Sequence, residues 1–70
     1  MLIVHLSVNN NPALLDEKNI LFAEECEGED SSKNKIEFTR IYLKQPLPAE
    51  EPVEQIDVIE SVEKLLKLLK

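Results

Sequence analysis

The chain contains few side chains of the types that do acid–base or nucleophilic chemistry. His5 is the single histidine, so it cannot form a zinc pair or a proton shuttle with a second imidazole. Cys26 lies between Glu25 and Glu27, whose negative charge disfavours the reactive thiolate. No neighbouring base and orienting acid would activate the serines, which are Ser7, Ser31, Ser32 and Ser61. We therefore expect no catalytic residue, no cofactor and no enzymatic activity; an enzyme would need a site assembled between subunits from His5 and distant acids.

The segment EECEGED, at positions 24–30, holds five carboxylates in seven residues and invites comparison with calcium-binding loops. An EF-hand loop needs oxygen ligands at alternate positions, a glycine sixth and a closing glutamate twelfth, and this order is absent. The sequence therefore predicts no metal site. Because residues 27–35 contain no apolar side chain, we expect them to form a mobile surface loop.

One segment interleaves basic and aromatic residues, as proteins that bind single-stranded nucleic acid do. Its members are Lys35, Phe38, Arg40, Tyr42 and Lys44. Strict alternation along a strand would place Phe38, Arg40 and Tyr42 on one face. The formal net charge of −6 opposes binding to phosphate backbones, so a nucleic-acid-associated regulator is the alternative function and not the first.

The length of 70 residues limits the chain to one domain with a small core. Such domains gain support from disulfides, structural metals or oligomerisation. One cysteine cannot form an internal disulfide, and no Cys/His cluster offers a metal site, so we expect a homo-oligomer. A hydrophobic content of 43% with a single glycine is too apolar for a disordered segment.

The hydrophobic pattern predicts an α+β fold, with a small curved antiparallel sheet of four to five short strands and one C-terminal helix. Leu2, Val4, Leu6 and Val8 alternate with Ile3, His5 and Ser7, and Ile20 and Phe22 alternate with Leu21 and Ala23. In the strand at 36–43 the apolar side changes, so we expect either a bulge near Thr39 and Arg40 or two covered faces. The predicted strands are residues 2–8, 13–15, 20–25, 36–43 and 53–57, and a proline-rich connection spans 44–52.

The closing segment ESVEKLLKLLK predicts a helix over about 61–69, capped by either Asp57 or Ser61. Helical spacing places four apolar residues on one stripe, which are Val62, Leu65, Leu66 and Leu69. A helix this short is marginal alone in water. We therefore expect these four residues to pack on the sheet or at an interface with a second copy.

The chain resembles the small FlbD-type proteins of bacterial flagellar operons. The resemblance covers nearly the whole chain and rests on the apolar start, the turn leading to Ile20 and Glu24-Glu25, and VIESVE at 58–63 before a short leucine helix. The connection at 44–52 departs from the tight turn typical of that family. A weaker resemblance is to half of a LytTR-type DNA-binding domain, whose basic recognition surface this chain lacks. Neither resemblance implies a catalytic residue.

These observations favour a non-enzymatic binding or regulatory module that acts through protein contacts with itself and with an unidentified protein. The start MLIVHLSV lacks the basic region of a secretory signal, and no apolar run approaches the ~20 residues that span a bilayer. We therefore expect a cytoplasmic location and no membrane association.

Overall fold

The computed structural model of the chain describes residues 1–47 and 50–69. Within these residues the chain forms five strands and one α-helix, which confirms the α+β class with mainly antiparallel strands and a C-terminal helix. A short 3₁₀ turn, Glu17–Asn19, lies where the sequence predicted a turn. The elements are β1 (Leu2–His5), β2 (Pro12–Leu15), β3 (Ile20–Glu29), β4 (Lys35–Leu47), β5 (Val53–Val58) and α1 (Val62–Leu68).

The strands form two antiparallel sheets, not the single sheet that the sequence predicted. β1 pairs with β2, and β3, β4 and β5 follow one another in the second sheet. A lone bridge between Leu6 and Val58 joins the two sheets. Two backbone hydrogen bonds flank it, from the Ser7 N–H to the Asp57 carbonyl (3.0 Å) and from the Ile59 N–H to the His5 carbonyl (2.9 Å). We call this junction of residues 5–7 with residues 57–60 the seam.

β1 is shorter than the predicted strand at 2–8 because the chain turns back early. The Leu6 N–H donates to the Asn11 carbonyl, and the Asn10 N–H donates to the Leu6 carbonyl. Asn10 has a φ of 58°, a left-handed conformation that asparagine tolerates better than most residues. The asparagine run therefore ends the β1–β2 pairing at His5.

β3 and β4 form a long hairpin, so the predicted loop at 27–35 is too long. Residues 27–29 belong to β3, and only residues 30–34 lie between the strands. Asp30 organises the turn, since its Oδ1 accepts hydrogen bonds of 2.9 Å from the N–H groups of Ser32 and Asn34. Pairing with β4 thus holds a charged segment, with little intrinsic strand preference, in extended form.

β4 alternates regularly, and the bulge predicted near Thr39 and Arg40 is absent from its pairing with β3. The side chains that face the core are Thr39, Ile41 and Leu43. The irregularity lies instead on β3, between Ile20 and Phe22. The change of apolar side in the sequence therefore reflects a strand with one buried face and one half-buried face.

The predicted connection at 44–52 is partly strand, because β4 extends to Leu47, which pairs with Val53. Pro48 and Ala49, in the middle of that connection, lie outside the described residues, as does Lys70, which follows the predicted helix. The register between β4 and β5 is irregular between Tyr42 and Leu47.

Ser61 is the N-cap of α1, so of the two predicted caps Ser61 is confirmed and Asp57 is not. Its Oγ accepts a hydrogen bond of 3.1 Å from the Lys64 N–H, and its backbone is extended. This arrangement satisfies one of the free N–H groups at the start of the helix. α1 then runs for seven residues.

The core lies between the inner faces of the two sheets and one side chain of the helix. β1 and β2 contribute from one side, β4 and β5 from the other, and Leu65 closes the cluster from α1. Within the described residues the buried apolar side chains are Leu2, Val4, Leu15, Ile41, Leu43, Val58 and Leu65.

Leu65→Ala is expected to lower the free energy of unfolding by about 2–5 kcal/mol, because Leu65 is only 4% exposed and its loss leaves a cavity. Leu68→Ala is the matched control, since Leu68 lies on the same helix and is 42% exposed; its loss should be under about 1 kcal/mol. Urea denaturation at one protein concentration measures both. Equal losses would show that α1 is not anchored through Leu65.

Candidate binding surfaces

An apolar groove of about 220 Å³ lies between α1 and the beginning of β3. We call it the α1 groove. Seven apolar side chains line it, which are Ile20, Ala23, Ile41, Val62, Leu65, Leu66 and Leu69. All four helix residues that the sequence placed on one stripe therefore line one surface.

The single chain does not bury that stripe as a whole. Leu65 is buried and Val62 is half-buried, but Leu66 is 57% exposed and Leu69 is 45% exposed. Among the described residues β3 is the last strand of its sheet, so no further strand lies beside it to cover these two leucines. Burial of Leu66 and Leu69 would require a second surface.

At the seam, the side chain of Glu60 joins β1 to the segment that precedes α1. Its Oε1 accepts a hydrogen bond of 2.8 Å from the His5 N–H, and its Oε2 lies 2.7 Å from His5 Nδ1. A carboxylate can only accept, so Nδ1 is the donor in this contact. The Glu60 side chain is 5% exposed, whereas that of His5 is 43% exposed. The carboxylate thus accepts the hydrogen bond that a carbonyl of a neighbouring strand would otherwise accept from the His5 N–H group.

Two opposing influences set the pKa of Glu60. Burial raises it, but hydrogen bonds from the His5 side chain and the His5 N–H group together outweigh burial, so the pKa lies below its ordinary value of 4.5. The carboxylate is therefore ionised near neutral pH.

The enzyme hypothesis required His5 to meet a distant acid at an interface between subunits. His5 instead contacts Glu60 of the same chain. Both Glu60 oxygens are engaged by His5. Among residues 1–47 and 50–69, no group of three or more His, Cys, Asp or Glu side chains is arranged to hold a metal ion. The geometry supports a structural role for this pair.

Phe38, Arg40 and Tyr42 alternate with the inward-facing residues of β4, so they share its outer face, as strict alternation predicts. Arg40 Nε donates to Asp57 Oδ1 at 2.9 Å, and its Nη2 donates to Asp57 Oδ2 at 3.3 Å. This hydrogen bonding raises the pKa of Arg40 above its ordinary value. Its guanidinium also lies 5.5 Å from the centre of the Phe38 ring. The cation is therefore already paired with a carboxylate across β4 and β5.

The other members of the predicted basic-aromatic face are also engaged or lie elsewhere. Tyr42 stacks on Phe22 with ring centres 4.3 Å apart, and its hydroxyl donates to Glu24 at 2.9 Å, which raises the pKa of Tyr42. Lys35 lies on the opposite face of β4, together with Glu37 and Thr39. Its Nζ is 3.1 Å from a Glu27 carboxylate oxygen. Lys44 is exposed.

Most of the acidic segment forms the second half of β3. Glu25 and Glu27 face the same side as Glu37, and with Phe38 and Ile59 they line a cleft of about 530 Å³. We call it the acidic cleft. Thr39, Cys26 and Ser61 complete its walls.

No protein-family model, curated protein or solved structure matches the chain. The resemblances to FlbD-type and LytTR-type proteins therefore remain predictions. Within the described part of the chain, the helix is too short and too polar to cross a membrane.

Glu60→Ala is expected to lower the free energy of unfolding by about 1–3 kcal/mol, because the partly buried His5 N–H group loses its acceptor. Glu60→Gln keeps an acceptor oxygen and should lose less. Chemical denaturation at neutral pH compares the two variants. A Glu60→Ala protein as stable as the parent would contradict the structural role of this carboxylate.

The pH dependence of stability provides a separate test. Since the folded-state pKa of Glu60 is lowered, its stabilising effect is complete above the ordinary glutamate value of 4.5 and is lost as the pH falls through that value toward the lowered pKa. The stability difference between the parent and Glu60→Gln should therefore shrink on acidification. Thermal melts between about pH 7 and about pH 3 measure it. A difference that is constant over this range would contradict the prediction.

Proposed function

We propose that the protein is a non-enzymatic binding or regulatory module of the cytoplasm that acts through protein contacts and self-associates through the α1 groove. The observation that carries the proposal is the exposure of Leu66 and Leu69 on the wall of this groove. A second copy of the chain, packed with its own α1 against the groove, is the occupant that we favour.

Hydrophobic burial favours this assembly. Covering an exposed leucine completely stabilises a complex by up to about 1.5–3 kcal/mol. In a two-fold interface each residue is covered twice, once in each copy. Leu66 and Leu69 together would therefore contribute four buried leucines to one dimer, beside the half-buried Val62.

The charges on α1 are compatible with an antiparallel pairing of two helices. Glu63 lies in the first turn of α1 and Lys67 lies in the last turn. Antiparallel packing brings the first turn of one helix near the last turn of the other, so Glu63 of each copy would lie near Lys67 of the other. Parallel packing would place like charges together, which is unfavourable.

The size of the core gives a further reason for self-association. A domain of this length gains roughly 3–5 kcal/mol from its own core, and only seven apolar side chains among the described residues are buried. Disulfide bonding within the chain is excluded by its single cysteine. Association between copies is the remaining common means by which such a small domain gains stability.

Leu66→Gln is expected to shift the protein from oligomer to monomer, since a polar side chain in the interface must be desolvated. Leu68→Gln is the matched control, because Leu68 lies on the same helix and is also exposed but does not line the groove. Sedimentation equilibrium over a dilution series measures the association of the parent and of both variants.

We expect the parent and the Leu68→Gln variant to associate, and the Leu66→Gln variant to be folded and monomeric. A parent that is monomeric at the highest attainable concentration would refute self-association. Equal weakening by both substitutions would place the interface elsewhere.

A nucleic-acid-associated regulator that uses the face at 35–44 ranks second. Carboxylates occupy two of its three basic groups, with Asp57 on Arg40 and Glu27 on Lys35, whereas Lys44 is exposed. We expect no retention of oligo-dT or oligo-U in filter binding at low salt, where electrostatic binding is strongest. Saturable retention that is lost in Arg40→Gln but kept in Lys18→Gln would reverse the ranking.

A further inference from the structure

We propose that the free edge of β3 binds an extended, lysine- or arginine-rich segment of a partner protein by strand addition. β3 pairs with β4 on one edge, and within the described residues no strand pairs with its other edge. α1 lies over Ile20 and Ala23, near the beginning of β3. The backbone edge at residues 24–29 is therefore open to an added strand, which would be held by main-chain hydrogen bonds.

The charge on this edge selects the partner. β3 carries Glu24, Glu25, Glu27 and Glu29 and no basic residue. Like charges directly opposite each other destabilise a pair of strands, so β3 of a second copy is a poor partner. A cationic strand has the opposite preference, because each of its basic side chains would lie beside a carboxylate.

The acidic cleft shows where such a side chain would be held. On the inner side of the edge, Glu25, Glu27 and Glu37 face a space with Phe38 and Ile59 in its walls. The aliphatic stem of a lysine or arginine can pack on Ile59 while its charged end reaches the carboxylates. The cleft therefore offers both kinds of contact that a long basic side chain makes.

Lys35 already makes a contact of this kind within the chain. Its Nζ lies 3.1 Å from Glu27 Oε2, and both side chains are more than half exposed. Exposed ion pairs of this type contribute little stability. A basic residue of the partner could therefore replace Lys35 beside Glu27 at little cost.

The partner motif follows from strand geometry. Side chains of an added strand alternate between the two faces, so the basic residues that enter the acidic cleft lie at every second position. This surface is separate from the α1 groove, and strand addition does not require self-association. The two proposals can fail independently.

The test uses the full chain and a synthetic peptide of about ten residues in which lysine and threonine alternate, a length that matches a typical strand. Amide shifts in ¹H–¹⁵N spectra report the site, and the titration gives the affinity. A lysine–proline peptide of equal charge lacks every second N–H group and favours polyproline II, so it separates strand addition from charge attraction alone.

Two double variants remove the same charge from different places. Glu25→Gln with Glu27→Gln alters the cleft, and Glu50→Gln with Glu51→Gln alters the exposed connection before β5. We expect saturable binding of the lysine–threonine peptide with shifts at residues 24–29, about tenfold weaker binding by the first variant and unchanged binding by the second.

Thermal melts verify that both variants are folded. Three results would overturn the proposal: no binding of the lysine–threonine peptide to the parent, equal binding of the lysine–proline peptide, or equal weakening by the two double variants.

Discussion

The fold depends on the seam, where the Glu60 carboxylate, and not a backbone carbonyl, accepts the hydrogen bond from the His5 N–H group. Between the two sheets there is a lone bridge, and beyond it the Glu60 carboxylate accepts from both the N–H group and the ring of His5. Because β1 and β2 supply Leu2, Val4 and Leu15 to the core, their attachment to β5 decides whether that core is closed. A buried carboxylate is costly without partners, and here two hydrogen bonds offset that cost.

The small core has a direct consequence at the surface. One side of α1 contributes Leu65 to the interior, and the sheet ends before it can cover Leu66. Within residues 1–47 and 50–69 no further strand pairs with the outer edge of β3, which is therefore open. The exposed groove and the free edge thus lie at the same terminal strand of the three-stranded sheet.

Local signals in the sequence predicted the parts of the fold that depend on local physics. Ser61 was one of the two caps predicted, and the alternation in β1 was predicted as well, because both features rest on neighbouring residues. The long β3–β4 hairpin was missed, because pairing with β4 overrides the weak strand preference of residues 27–29. The His5–Glu60 contact joins residues 55 positions apart, and no spacing rule indicates it. Helical periodicity identified the stripe on α1, but it could not show how much of the stripe the sheet would cover.

The most direct test of the seam is amide hydrogen exchange in the unmodified protein. If Glu60 and the bridge hold the two sheets in one cooperative unit, the amides of His5, Ser7 and Ile59 should exchange as slowly as that of Ile41 on the central strand β4. Exchange of these three amides as fast as that of Ser32 in the exposed hairpin turn would contradict the account, because it would show that β1 and β2 open independently of the larger sheet.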